Sequence, residues 1–228
     1  MHANPLDIRR FLATQPVFRD LSDSELNTLT NAARVRKLGR HEVLFHAGQP
    51  CDGLYFIVEG IAKLYVQSAQ GHEKVIEVIT RGDCVPEALT FSEEPHTVSA
   101  AMLVDATVLC VPREELLKQI ARNGSLAIRL LTGMSRRVNQ LTQVIESLTM
   151  RSGVRRVVDY LLQAPVVCEA SRAGMTVSLP ASKGTIASLL SVTPEHFSRI
   201  LHDLQDRGLI AIDRRRIHIL DADRLACV

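Results

Sequence analysis

Apolar positions change rhythm along the chain. Over residues 7–37 they recur at helical spacing in two short stretches, and Leu21-Ser22-Asp23-Ser24-Glu25 carries a helix-start signal. Ser22 can cap, and Glu25, three positions on, completes a capping box. From residue 42 to residue 112 short apolar runs alternate with turn signals. Residues 54–58 end at Glu59-Gly60, 61–66 at a turn closed by Gly71, and 74–79 at Arg81-Gly82-Asp83. Runs at 97–103 and 106–111 follow. Strands at spacings of about 8–12 residues with glycine at the turns predict a small antiparallel sandwich or barrel. Residues 113–123 then read as a short helix closed by Gly124.

The longest pattern comes next. Ala127, Leu131, Met134, Val138, Leu141, Ile145 and Leu148 alternate steps of 4 and 3 over three heptads. A helix packed on its own domain prefers a broader stripe, so this narrow seam predicts coiled-coil-like pairing and a homodimer. The plain alternative is one long core helix. Residues 151–162 form a further helix that Ala164-Pro165 breaks. A loop at 168–174 and a strand at 175–179 precede two helices and a terminal hairpin.

Composition narrows the classes. The chain has 228 residues, 46% hydrophobic and 23% charged, with 27 Lys plus Arg against 25 Asp plus Glu. These values exclude disordered and collagen-like chains and leave one large domain or two small ones. No run of about 18 apolar residues offers a membrane span. The start, MHANPLDIRRFLATQ, has no apolar signal core, so a cytoplasmic protein is expected. Cys51, Cys84, Cys110, Cys168 and Cys227 are scattered and form no CxxC pair, as free thiols would be. Charge is uneven: residues 1–150 hold 16 basic and 17 acidic side chains, whereas 151–228 hold 11 and 8. A basic excess in the shorter part fits nucleic acid, or simply a solvated face.

The decisive stretch is SKGTIASLLSVTPEHFSRILHDLQDRGLI, residues 182–210. A first helix at 182–190 is followed by a tight turn at Ser191-Val192. Thr193 caps the next helix, and Pro194 takes its first position, where a missing N–H costs nothing. Phe197, Ile200, Leu201 and Leu204 form one face. Glu195, His196, Ser198, Arg199 and His202 lie on the others. Two helices joined so tightly, the second amphipathic, are a helix-turn-helix. Gly208 ends the second helix, and residues 210–220 make a hairpin with the basic tip Arg214-Arg215-Arg216, a wing. A guanidinium can bind guanine O6 and N7 together, and a carboxylate can accept from cytosine N4. Glu195 and Arg199 are four apart, so one face can read one G·C pair. Lys183, Thr193, Arg214, Arg215 and Arg216 are the candidates for holding phosphates. The bland alternative is a surface ion pair between Glu195 and Arg199.

In this order of elements the chain resembles the CRP/FNR family of bacterial transcription regulators. The resemblance runs from about Phe11 to the C-terminus. It rests on the glycines Gly48, Gly60, Gly71 and Gly82, on Met134-Ser135-Arg136-Arg137, and on Thr193-Pro194-Glu195-His196-Phe197-Ser198-Arg199. It implies an α+β fold: a sensor/effector β-roll like that of cyclic-nucleotide-binding domains at 1–123, a dimerisation helix at 124–150, and a winged helix-turn-helix DNA-binding domain at 151–228. The E-x-x-S-R form of the recognition helix is the FNR type. By resemblance Glu195, Ser198 and Arg199 read TTGAT half-sites in a palindrome, and RNA polymerase is a partner. A CRP-type helix carries an arginine where Pro194 stands.

The same resemblance bears on the effector. CRP-type proteins bind cyclic AMP in the roll. Here Glu87 matches the family carboxylate, but Pro86 replaces a glycine and removes an N–H donor, and residues 82–101 contain no Lys or Arg. Leu141 stands where a polar nucleobase contact would be. A cyclic phosphate would lack a countercharge, so cyclic AMP is not expected. FNR's iron–sulfur cysteines are also missing, since no Cys precedes Cys51. The closest likeness is to the Dnr group, the nitric-oxide-responsive members, at Pro86-Glu87-Ala88-Leu89-Thr90-Phe91, at Glu94-Pro95-His96-Thr97-Val98-Ser99-Ala100, and over 193–201. This implies nitric oxide or oxygen limitation sensed through haem, and control of nitrogen-oxide respiration. The implied effector pocket is Glu87, Leu89, Phe91, Leu131, Met134 and Leu141. His41, His46, His72 and His96 are the candidate axial ligands. An enzyme of the metal-dependent cupin type would need an H-x-H pair. His41 and His46 are five apart, which puts them on opposite faces of a strand. No Ser/His/Asp grouping or phosphate loop is present, and no enzyme is expected.

Overall fold

The computed structural model describes residues 5–85, 90–92, 94–164 and 175–228, with side chains from Asp7 onward. Glu87, Leu89, Cys168 and the loop expected at 168–174 lie outside the described residues. The chain divides into two compact units, Met1–Gln140 and Leu141–Val228.

The first unit opens with helices α1 (Pro5–Thr14) and α2 (Asp23–Ala32), joined through a 3-10 turn at Pro16–Phe18. The Ser22–Glu25 capping box is present in full: the Ser22 hydroxyl accepts from the Glu25 N–H, and the Glu25 carboxylate accepts from the Ser22 N–H at 2.7 Å. The strands that follow among the described residues are β1 (Arg34–Leu38), β2 (Val43–Phe45), β3 (Gly53–Glu59), β4 (Ala62–Gln67), β5 (Glu73–Ile79), β6 (Ser99–Met102) and β7 (Ala106–Pro112). They form two antiparallel sheets, ordered β1-β7-β3 and β2-β6-β4-β5.

Strand β3 shows why its sequence is apolar without interruption. Successive side chains point to opposite faces of a strand, and here both faces are covered. Tyr55 and Ile57 join the cluster between the sheets with Leu44, Leu64, Met102 and Val108. Leu54 and Phe56 join a second cluster with Leu12, Phe18 and Leu29 from the N-terminal helices. Gly60 closes the β3–β4 turn at φ +100°, and a Cβ there would come within 2.6 Å of the Ala106 Cβ, so only glycine fits.

Two strands escaped the hydrophobic pattern. β1 reads Arg-Val-Arg-Lys-Leu and buries only Leu38 fully, as a charged edge strand does. β2 has three residues. Helix α3 (Arg113–Arg122) ends at Asn123, which is extended at φ −136°. Gly124 was expected to close that helix; it instead opens α4 (Gly124–Met150). The break belongs to Asn123, whose side chain accepts from the Ser125 N–H at 3.0 Å and so caps the new helix.

Helix α4 is 27 residues long and carries two apolar faces. Leu126 and Leu130 are buried in the second cluster. The heptad positions are not: Leu131 is 57% exposed, Val138 60% and Ile145 63%. Leu141 and Leu148 are exposed as well, and Ala127 and Met134 half-buried. A bidentate ion pair fixes α4 to β5, with Arg137 Nη1 donating to Glu77 Oε1 at 2.7 Å and Nη2 to Oε2. Burial pushes the Glu77 carboxyl above its ordinary range, against the pull of Arg137.

The second unit holds the end of α4 together with α5 (Gly153–Gln163), β8 (Met175–Ser178), α6 (Lys183–Leu189), α7 (Pro194–Asp206), β9 (Ile210–Asp213), β10 (Arg216–Ile219) and α8 (Ala222–Ala226). Its sheet has the order β8-β10-β9, so the expected hairpin gains β8 as a third strand. The short α8 after it was not legible. No helix of the described residues is long and apolar enough to cross a membrane.

Phe56 joins the sheets to the N-terminal helices through edge and tilted contacts with Phe11 and Phe18. Phe56→Ala is expected to cost about 3–5 kcal/mol in urea unfolding of the first unit. A loss below about 1 kcal/mol would mean that this layer is not a packed core.

Candidate nucleic-acid interface

The interface is built from α6, α7 and the β9–β10 hairpin. Each helix starts on a side-chain cap. The Ser182 hydroxyl accepts from the Thr185 N–H at 3.1 Å, and the Thr193 hydroxyl from the His196 N–H at 3.2 Å. Pro194 occupies the first position of α7. Between the helices Ser191 sits at φ +54°, and the Val192 N–H bonds the Ala187 carbonyl at 3.0 Å. This left-handed residue lets the chain reverse in so few positions.

Helix α7 is divided cleanly. Phe197, Ile200, Leu201 and Leu204 are buried, which fixes its orientation in the unit. Glu195, Arg199 and His202 are exposed and Ser198 half-exposed. These four follow helical spacing along one face. Among the described residues neither Glu195 nor Arg199 makes an ion pair or a side-chain hydrogen bond, so the surface pair that would have been the bland explanation does not form. The carboxylate and the guanidinium are free for another partner. Sequence reasoning singled out Glu195, Ser198 and Arg199; it left His202 unassigned, although residue 202 lies seven on from Glu195 and shares its face.

The hairpin places Asp213 opposite Arg216 and turns through Arg214 and Arg215, with Arg214 at φ +54°. Arg214, Arg215 and Arg216 are all exposed, and Lys183 is half-exposed at the start of α6. The Gln205 side-chain oxygen accepts from the Ile212 N–H at 3.2 Å and so ties α7 to the wing. The site thus combines a polar helix face with cations at the start of α6 and on the hairpin, groups suited to base edges and phosphates.

A residue that the sequence did not reveal holds the turn in place. Arg156 on α5 donates from Nε to the Leu190 carbonyl at 2.9 Å, from Nη2 to Ser191 at 3.2 Å and from Nη1 to Arg151 at 2.7 Å. Three carbonyls that the turn and the preceding helix end leave unpaired are satisfied by one guanidinium. Gly153 at the start of α5 allows the close approach, since a Cβ there would lie 3.1 Å from a Val192 methyl.

The residues expected around the effector are placed less completely. Phe91 is half-buried against the N-terminal cluster, while Leu131 and Leu141 are exposed on α4 and Met134 is half-buried there. His41, His46 and His72 are exposed. His96 is buried, stacked flat on Phe45 with ring centroids 3.7 Å apart, and its Nε2 is buried with no hydrogen-bond partner. Burial pushes its pKa down, against the field of Asp52, so the ring is neutral at neutral pH. The described cysteines are free thiols. No group of three or more metal-ligating side chains occurs among the described residues.

A β-roll, a long helix and a winged helix-turn-helix define a DNA-binding transcriptional regulator. Comparisons with known proteins agree. Residues 35–123 match the cyclic nucleotide-binding domain family, and residues 155–228 the Crp-like helix-turn-helix domain family. The chain is similar to the anaerobic regulatory protein of Bacillus subtilis, 26% identical over 221 residues, 95% of this chain and 93% of the relative. It is similar too to the CRP-like cAMP-activated global transcriptional regulator of Mycobacterium tuberculosis, 26% identical over 216 residues, 94% of this chain and 96% of the relative. Among solved structures, DNR from Pseudomonas aeruginosa is 31% identical, with 100% of this chain and 99% of that one covered and a TM-score of 0.53. FixK2 from Bradyrhizobium japonicum shares the fold at a TM-score of 0.74 and 22% identity, covering 85% and 95%. The chain belongs to the CRP/FNR family of transcriptional regulators, and these relatives are regulators rather than enzymes.

Arg156→Ala is expected to lower the stability of the second unit by about 1 kcal/mol, because two half-buried carbonyls and an exposed one lose their donor. Urea unfolding followed by far-UV circular dichroism measures this, and an unchanged midpoint would show that the turn does not need the brace.

Proposed function

We propose that two copies of the chain pair along α4 and read a palindrome of two TTGAT half-sites in the cytoplasm, with RNA polymerase as the downstream partner. The observation that carries the reading is the free, exposed face of Glu195, Ser198 and Arg199 on a helix held by buried Phe197 and Ile200. Arg199 takes guanine O6 and N7, and Glu195 accepts from the cytosine amino group of the same pair. Lys183, Thr193, Arg214, Arg215 and Arg216 hold phosphates and set the register. The exposed heptad face of α4 supports pairing, because a bare apolar stripe of this length is costly in water. Two-fold pairing turns one recognition helix into two, set about one helical turn of DNA apart.

Arg199→Ala should weaken operator binding by about 1–3 kcal/mol and relax the preference at one G·C pair. Arg215→Ala should weaken all sequences alike and reduce the salt slope by about 1. Gel shifts on the TTGAT palindrome and on single-base variants at several salt concentrations separate the two. Equal, sequence-blind losses would remove Arg199 from base reading.

For the signal, the Dnr likeness supports nitric oxide carried on haem, with nitrogen-oxide respiration as the process controlled. When bound, haem supplies an iron that takes up a diatomic gas. Of the four candidate ligands His96 fits best. Its Nε2 is buried and unpartnered, and a neutral imidazole is the form that ligates. Phe45 stacked on its face would hold the ring's orientation. Titration of the apo protein with haem should give a saturable Soret shift that His96→Ala removes and that His41→Ala, His46→Ala and His72→Ala leave intact. Absence of a saturable shift in the wild type would end the gas-sensor reading and leave another small ligand as the signal.

A further inference from the structure

A cavity of about 650 Å³ lies within the first unit, between the 3-10 turn Pro16–Phe18, the bend Gly82-Asp83-Cys84 and the first half of α4. That volume is in the range of small-molecule sites. No histidine among the described residues lines it, so it is a separate matter from the haem reading. Its charged lining is three guanidinium groups, Arg19, Arg129 and Arg136, against two carboxylates, Asp20 and Asp83.

Both carboxylates are already committed. Asp83 Oδ2 accepts from the Thr80 N–H at 2.9 Å and from the Thr80 hydroxyl at 2.8 Å. Asp20 Oδ2 accepts from Arg129 Nη2. The cations are only partly so, through the Arg129 pair with Asp20. Arg129 Nη1 is buried without a hydrogen-bond partner. Arg136 and Arg19 are exposed, and neither makes an ion pair or a side-chain hydrogen bond among the described residues. A buried N–H of a charged group left unpaired is rare in a folded protein and calls for a partner. An excess of positive charge in a concave, partly desolvated site selects that partner by sign.

We infer that this cavity binds a small oxyanion, a carboxylate or phosphate group, through the guanidinium groups of Arg129 and Arg136, with Arg19 as a third cation. The planar guanidinium fork matches the paired oxygens of either group. The inference does not rest on the DNA reading, because every lining residue belongs to the first unit. It goes beyond that reading in giving the α4 helix a ligand contact at residues 129–136, on the same helix as the heptad stripe. A ligand that bridges the 3-10 turn to α4 stabilises the arrangement that binds it.

Isothermal titration of the full-length chain with inorganic phosphate, pyrophosphate and succinate, each at constant ionic strength, tests this. The phosphate and succinate arms distinguish the two sources of the oxyanion. At least one should bind saturably at one site per chain. Arg136→Gln, at an exposed and unpaired position where folding is not at stake, should weaken it by about tenfold. Arg129→Gln should weaken it further, and Arg19→Gln less. No saturable binding of any of the three up to tens of millimolar would overturn the inference, as would binding that Arg136→Gln and Arg129→Gln leave unchanged.

Discussion

Helix α4 carries more apolar surface than the described residues cover, and the pairing proposed for the chain depends on that surplus. One face is spent inward, where Leu126 and Leu130 close the cluster formed by Phe18, Leu29 and Phe56. The other face, marked by Leu131, Val138 and Ile145, remains in water over three heptads. At roughly 25 cal/mol per Å² of apolar surface removed from water, covering such a stripe is a strong drive toward association. On the pairing we propose, a second copy supplies the cover. The two-fold relation that results is then imposed on everything attached to the helix. The Arg137–Glu77 fork matters in this context because it makes the strands of the roll a rigid neighbour of α4 rather than a tethered one.

The DNA-facing unit solves a different problem, that of holding a polar helix face still. Helix α7 has little freedom: four buried apolar side chains fix its rotation, and Thr193 and Pro194 fix its start. The turn before it is strained at Ser191 and is compensated by the three bonds from Arg156. This division of labour leaves Glu195 and Arg199 free of internal obligations. A residue meant to read a base gains from having no partner in the free protein, because nothing must be broken on binding.

Most of the architecture was legible in the sequence, for reasons that the structure makes explicit. The Ser22–Glu25 box, the Thr193 cap and the heptad steps are local signals, and each appears where the pattern placed it. Glu195 and Arg199 could be singled out by their four-residue spacing on the outer side of a capped, amphipathic helix, and Ser198 only through the family resemblance of the E-x-x-S-R pattern. The features that were missed depended on distance along the chain. β1 hides behind three charged residues because it is an edge strand, and β8 joins the wing through pairing with β10, which no local pattern announces. Gly124 looked like a helix end, yet the neighbouring Asn123 makes the break and caps α4. Arg156 was one more basic residue on a helix, and its role exists only because the fold brings the α6–α7 turn to it. Among the effector candidates, four histidines were equivalent by sequence; burial alone separates His96 from the others.

The central claim, that an unsatisfied helix seam makes two chains act as one reader, is tested most directly by the mass of the complex on DNA. Sedimentation velocity with a labelled duplex bearing the full palindrome, over a range of protein concentrations, gives the number of chains per duplex. The account predicts a single complex holding two chains with no one-chain species on the path to it. It also predicts much weaker binding to a duplex with one half-site. Successive loading of one chain and then another, with each half-site filled at the same affinity, would contradict it.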